Sequence, residues 1–309
     1  MIICRDYEEC PRLLTRPAVV TIGNFDGVHR GHLAVLEAAR GEAAATNREL
    51  VILTFEPHPD QVLRPAAPRL RLLPAARKLE LIAATGPTLI LAQRFDAALA
   101  ALEPRGFAEQ VLARSLGAQL VLVGQNFSFG RGRVGDLEHL RRLGQELGFA
   151  VRGERLLRLQ DEEISSSRIR ALVATGEVAA AAVLLGRPHE LAGTVQRGQR
   201  LGRTLGFPTV NLGGIEVLLP ATGIYAARAR VGGEVLPAAA YVGRRPTLGG
   251  TELAVEAHLI GFSGDLYGAG IVLELVERVR GDARFANLDA LREQLARDIR
   301  AVRLLLERG

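Results

Sequence analysis

Lysine is almost missing from this 309-residue chain: of its 39 lysines and arginines, one, Lys78, is a lysine. The arginine excess stands beside abundant Ala, Leu and Gly and reads as a compositional bias. It is not a nucleic-acid signature, because the arginines are scattered and form no contiguous basic arm. Cysteine is scarce as well. Cys4 and Cys10 are the only two, and neither has the partner spacing of a zinc site. They read as reduced thiols. No long hydrophobic run is free of charge: the most apolar stretch, 171–186, contains Glu177, so no bilayer-spanning helix is indicated. The first residues, Met-Ile-Ile-Cys-Arg-Asp-Tyr-Glu-Glu, lack the basic and apolar regions of a secretory leader. There is no internal repeat, low-complexity tract or long linker. A soluble cytoplasmic protein is expected, with neither membrane nor nucleic acid as partner; the oligomeric state is not legible.

What remains is an ordinary globular balance, 48% hydrophobic and 24% charged, in a chain long enough for two cores. The most informative stretch is 18–33, Ala-Val-Val-Thr-Ile-Gly-Asn-Phe-Asp-Gly-Val-His-Arg-Gly-His-Leu. Val19, Val20 and Ile22 predict a buried parallel strand. Gly23 to Gly27 predict a tight turn, and Leu33, Leu36, Ala39 and Ala43 a helix after it. His29 and His32 then fall at a strand-to-helix turn, where free N–H groups and a partial positive charge suit phosphate. Their i, i+3 spacing predicts two imidazoles on one helix face, with Gly31 between them giving a ligand room.

Further strands are expected at 50–55, 88–92 and 120–123, and helices at 77–84, 107–116 and 137–147. That alternation predicts a parallel sheet covered by helices, with ligands at the C-terminal strand ends. Three loops then carry chemistry. Thr54-Phe55-Glu56-Pro57-His58-Pro59 is held extended by its prolines. Gly124-Gln125-Asn126-Phe127-Ser128-Phe129-Gly130 offers an amide and two rings to a planar heterocycle. Ile164-Ser165-Ser166-Ser167-Arg168-Ile169-Arg170 joins capping hydroxyls to guanidinium groups.

Near Gly186 the texture changes. Extended runs at 191–195, 225–231, 236–242, 255–260 and 271–279 follow without intervening helices and predict an antiparallel sheet or barrel. An amphipathic helix, 288–306, closes the chain, with Leu291, Leu295, Ile299 and Val302 on one face. Thr209 and Asn211 are hard oxygen donors two residues apart on an extended segment, suited to Mg²⁺. Alternation puts Glu256 and His258 on one face of a strand and Ala257 and Leu259 on the other.

The string Gly-Asn-Phe-Asp-Gly-Val-His-Arg-Gly-His resembles the nucleotide-binding turn of the bacterial bifunctional riboflavin kinases/FAD synthetases, and its His-x-Gly-His core that of the wider nucleotidyltransferases. The three loops match the same family in the same order, with Ser167 where Thr is usual. The later part matches it through Gly198 to Asn211, Gly223-Ile-Tyr225, Val242 to Thr247, Val255 to Leu259 and Gly264 to Gly268. His189, Arg197 and Tyr241 depart from the family pattern, where Tyr, His and Asn are usual. The resemblance implies an α/β, Rossmann-like nucleotidyltransferase domain over 1–185 and a riboflavin kinase barrel with a terminal helix over 186–309. The reactions implied are riboflavin to FMN, then FMN to FAD, with ATP as donor, Mg²⁺ accompanying it, and FMN and FAD as products.

For the adenylyl transfer it implies His29 and His32 as catalytic groups, and Gly23, Asn24, Phe25, Ser166, Ser167 and Arg170 as ATP or phosphate contacts. His58, Asn126 and Phe127 are the expected flavin or nucleotide contacts. For the kinase it implies Glu256 as base, Thr209 and Asn211 as metal ligands, and Gly198, Gly202 and Gly206 as a phosphate flap. This flap is not a P-loop, since Gly-Lys-Ser/Thr is missing. Two other readings compete: a single-activity nucleotidyltransferase with a merely binding β-domain, and an RNA-binding protein, which the dispersed basic residues disfavour.

Overall fold

The structure, a computed structural model, describes residues 1–66, 70–155, 157–159, 162–197, 206–247 and 250–307. It divides into two compact units, one of residues 1–69 and 75–165, the other of residues 70–74 and 166–309.

The first unit is a six-stranded sheet of β1 (Ile2–Cys4), β2 (Ala18–Ile22), β3 (Glu49–Glu56), β4 (Leu89–Arg94), β5 (Ala118–Gly124) and β6 (Ala150–Glu154). Its order is β1-β4-β3-β2-β5-β6, and every pairing is parallel. All five residues of β2 are buried, as a strand covered on both faces requires. Helix α1 (Arg30–Ala45) buries Val35, Leu36, Ala39 and Ala43, while Leu33 is only half-buried. Helices α2 (Ala75–Ala83) and α3 (Leu137–Leu147) stand close to their expected bounds. The stretch expected as one helix at 107–116 is an α-helical turn, Pro104–Phe107, running into a π-helix, Ala108–Ser115. The expectation of a Rossmann-like α/β unit holds.

In the second unit β7 (His189–Gln196), β8 (Val210–Gly213), β9 (Gly223–Val231), β10 (Glu234–Thr247), β11 (Gly250–Leu259) and β12 (Gly270–Gly281) close a barrel in the order β7-β8-β11-β10-β9-β12. All of its pairings are antiparallel, as expected. Its core includes Leu191, Tyr225, Ala240, Val255, Ala257, Leu273 and Leu275. Helices α4 (Ser166–Thr175) and α5 (Val178–Leu185) belong to this unit, and Val178 is part of the barrel core. The units therefore part at 165/166, twenty residues before the boundary expected from sequence texture. The terminal helix α6 (Leu288–Glu307) packs Ile299, Val302 and Leu306 against Ala226 and Ile260. Its buried Asp298 takes a two-pronged hydrogen bond from Arg280, Nε to Oδ1 at 3.0 Å and Nη2 to Oδ2 at 2.8 Å. Among the described residues no helix is long and apolar enough to cross a membrane.

Candidate active sites

Three loops leave adjacent parallel strands at the same sheet edge: 23–29 after β2, 57–58 after β3 and 125–127 after β5. The first is a buried turn under strain. Phe25 and Val28 lie in left-handed backbone at φ +47° and +36°, and Gly27 at φ +84°. A non-glycine residue there costs about 1–3 kcal/mol and persists only where its surroundings over-determine it. Here Phe25, Asp26, Val28 and His29 are all buried. The Phe25 ring covers Gly23 so closely that a Cβ on Gly23 would meet it at 2.9 Å, so only glycine fits.

His29 sits before α1 as its N-cap, not on its face. Its Nδ1 accepts the His32 backbone N–H at 3.2 Å. An accepting Nδ1 carries no proton, so the neutral ring holds its proton on Nε2 and offers it as a donor. The two imidazoles are stacked, centroids 3.5 Å apart and planes 17° from parallel. Phe25 meets His32 edge-on at 5.3 Å. The pairing expected from helical spacing is thus produced by capping and stacking. Gly31 also serves differently from expectation. A Cβ there would lie 3.1 Å from His29 Nδ1 and 3.2 Å from the Ile164 carbonyl, so its smallness makes room for the His29 ring.

The neighbouring loops are tied to this turn. The Gly23 N–H donates to Leu53 O at 3.0 Å, and the Thr54 hydroxyl to Asn24 O at 3.2 Å. His58, also buried, caps the short helix Pro59–Leu63 by accepting the Asp60 N–H on Nδ1 at 3.2 Å. Asn126 is exposed beyond β5. Phe127 and Phe129 stack on each other, centroids 5.5 Å apart, and Phe129 is buried against Phe107. Ser166 and Ser167 begin α4, and Arg170 Nε donates to Leu70 O at 3.1 Å within the second unit. Lys78 also stands beside these loops, a placement its surroundings in the sequence did not announce. It is buried and reaches the ends of two of these loops; its standing as the chain's one lysine was the signal.

The second candidate site lies on the outer face of the barrel. Val255, Ala257 and Leu259 are buried in the core, which turns Glu256 and His258 outward. Asn211 on β8 and Tyr241 on β10 stand directly opposite Glu256 on either side. Thr209, just before β8, donates its hydroxyl to Glu256 Oε2 at 3.2 Å. His258 fixes the preceding segment: its Nδ1 lies 2.8 Å from Pro208 O and its ring meets Phe207 edge-on at 5.8 Å. Thr209, Asn211 and Glu256 thus gather a hydroxyl, an amide and a carboxylate, a hard-oxygen set suited to a magnesium–phosphate complex. The Tyr241 ring lies over Gly243, and its hydroxyl reaches Asp282 Oδ1 at 3.3 Å. Burial, with Asp282 and Glu256 nearby, pushes its phenol above the usual range. Gly206 adopts φ +86°, whereas Gly198 and Gly202 lie outside the described residues.

Two family models match successive parts of the chain. The FAD synthetase family model matches residues 12–168, and the riboflavin kinase model residues 185–306. A bifunctional riboflavin kinase/FMN adenylyltransferase of Escherichia coli strain K12 is 38% identical over 281 residues, 91% of this chain and 90% of that protein. One from Pseudomonas fluorescens is 36% identical over 291 residues, 94% and 93% of the two chains. A Streptococcus pneumoniae crystal structure described as a macrolide-efflux protein is 26% identical, with a TM-score of 0.88 over 97% of this chain and 98% of its own. The name of that structure and the family models point to different activities. The fold is shared throughout, and both family models and the curated relatives agree on flavin chemistry.

Proposed function

The chain belongs to the family of bifunctional riboflavin kinases/FMN adenylyltransferases, and on that premise we propose how its residues divide the two reactions. The enzyme phosphorylates riboflavin with ATP to FMN, then transfers AMP from a second ATP to FMN, giving FAD and pyrophosphate.

The kinase reaction is assigned to the barrel, over 186–309, with Glu256 as base. The riboflavin 5′-hydroxyl attacks the γ-phosphorus of ATP. A new O–P bond forms, the bond to the β-phosphate oxygen breaks, ADP leaves, and the hydroxyl proton passes to Glu256. The observation that carries this assignment is the row Asn211–Glu256 with Thr209 bound to the same carboxylate. Thr209 and Asn211 are the residues that would hold Mg²⁺, which would offset the negative charge of the phosphates during transfer. Gly198, Gly202 and Gly206 are assigned to the phosphate flap on their sequence match.

The adenylyl transfer is assigned to the first domain, over 1–185. FMN brings its own anionic nucleophile, so no base is needed. A phosphate oxygen of FMN attacks the α-phosphorus, the α–β bridge breaks, and pyrophosphate leaves. Catalysis here is alignment and charge neutralisation. The Nε2–H of His29 and the His32 ring serve as donors to phosphate oxygens, with Gly23, Asn24 and Phe25 forming the cradle. His58, Asn126 and Phe127 are assigned to nucleotide and flavin. Ser166, Ser167 and Arg170 enter on sequence match, since hydroxyls at a helix start and a guanidinium suit pyrophosphate. ATP as cosubstrate and two unjoined thiols support a cytoplasmic setting.

The test is to incubate the purified chain with riboflavin, ATP and Mg²⁺ and to separate the flavins by chromatography. FMN is expected first and FAD after it, and excess EDTA should stop both. Accumulation of FMN with no FAD would leave the first domain without its assigned reaction.

A further inference from the structure

Lys78 lies on α2 with its side chain only 5% exposed. An ammonium taken out of water is strongly disfavoured unless it is paired and hydrogen-bonded. Here four acceptors share its three N–H groups: Glu56 Oε1 at 2.5 Å, Phe55 O at 3.0 Å, Thr54 Oγ1 at 3.2 Å and Asn24 O at 3.4 Å. Thr54 donates its hydroxyl hydrogen bond to the same Asn24 carbonyl, so one network joins the end of β3 to the strained turn after β2. In a chain that otherwise uses arginine, a lysine suits this place. A compact ammonium can serve acceptors in several directions, which a planar guanidinium in the same volume does not.

We propose that Lys78 is a positioning residue for adenylyl transfer, holding the turn around Asn24 and the loop that begins at Glu56 in one fixed relation. The inference rests on the reading that the 23–32 turn is the transferase site. The Asn24–Phe25 peptide is planar, so a carbonyl held toward Lys78 directs the Phe25 N–H the opposite way. The ammonium thereby orients a backbone donor of the phosphate cradle without touching the nucleotide. The same charge ties down Glu56, two residues before His58.

The experiment uses the full chain with Lys78→Met, Thr54→Val and the double variant, and His32→Ala as reference. It measures kcat and KM for FMN adenylylation, the rate of riboflavin phosphorylation, and the melting temperature. Displacing reacting groups by an ångström costs up to about a hundredfold in rate. Lys78→Met should therefore lower kcat for FAD formation by about 10- to 100-fold at saturating ATP and FMN, well below its melting temperature. Riboflavin phosphorylation should be unchanged. Thr54→Val should cost less, and its effect should vanish in the Lys78→Met background, because both act through the Asn24 carbonyl. A folded Lys78→Met chain with kcat within twofold of the parent, even if less stable, overturns the proposal. If Lys78→Met fails to fold, Thr54→Val decides: lower kcat with intact kinase activity supports the inference, and parental kcat overturns it. Normal FAD formation by His32→Ala would remove the site reading and this inference with it. A dead His32→Ala beside an active Lys78→Met removes only the role given to Lys78.

Discussion

Thr209 donates its hydroxyl to the carboxylate of Glu256 at 3.2 Å, joining a residue just before one barrel strand to one in the middle of the next. Glu256 thus holds a polar partner and retains acceptor capacity for a substrate proton.

Replacing Glu256 by Gln keeps the shape and removes the proton acceptor. FMN formation from riboflavin should fall by about two to four orders of magnitude, while supplied FMN is still converted to FAD. Thr209→Val should instead raise the Mg²⁺ concentration needed for half-maximal kinase activity. Initial rates across a Mg²⁺ titration separate the two effects; an unchanged Mg²⁺ requirement would remove Thr209 from the metal site.

His29 caps α1 and is proposed to donate to phosphate, two roles that different substitutions separate. As N-cap it contributes about 1 kcal/mol, which His29→Ala loses and His29→Asn, another good capping residue, keeps. Neither replacement supplies an Nε2–H. The melting temperature should drop for Ala and hold for Asn, while FAD formation falls in both. Normal FAD formation by His29→Asn would show that the cap is the whole role of this histidine.

The helices at 166–185 should matter to the stability of the barrel. Val178 is fully buried in the barrel core, and Arg278 Nη1 donates to Thr175 O at 3.3 Å. A fragment 186–309 loses both, and the valine alone is worth about 1.5–3 kcal/mol. A fragment 166–309 should melt cooperatively at a higher temperature than 186–309 and phosphorylate riboflavin more durably. Equal melting temperatures would show that the helices add nothing.

Both cysteines should be inert in the native chain. Burial pushes the thiols of Cys4 and Cys10 above the usual range, Cys10 the further, and thiolate is the reactive form. Intact-mass measurement after iodoacetamide at neutral pH should show no adduct on the folded chain and two after unfolding. Rapid native alkylation would contradict this.

Much of the fold was legible because its strands and helices carry strong periodicity. The buried run at Ala18–Ile22 and the alternation around Glu256 could each be read directly. Short or polar elements were not. The strand Ile2–Cys4 is only three residues long, and Ala150–Glu154 is a sheet-edge strand with Arg152 and Glu154 in its middle and end. The buried Asp298 also escaped, because a helical face chosen by apolar residues does not reveal an Arg280 waiting on a distant strand. At the candidate sites, spacing could be read from the sequence and geometry could not. Spacing put His29 and His32 together, but the N-cap, the stacked rings and the role of Gly31 depend on the conformation of the turn. Phe129 looked like a ligand platform until its contacts placed it in the core. The lone lysine stood out in composition without showing what it held.

The proposed assignment gives Glu256 to one reaction and His32 to the other, and it predicts that FMN released by one chain can be used by another. Mixing two defective full-length chains tests it most directly. Supplied with riboflavin, ATP and Mg²⁺, His32→Ala alone should stop at FMN, and Glu256→Gln alone should leave riboflavin almost untouched. Combined in one tube, they should form FAD after a lag in which FMN accumulates. A mixture that makes no FAD, while each variant retains its assigned single activity, would contradict transfer through free FMN, and FAD from either variant alone at the parental rate would contradict the assignment of its residue.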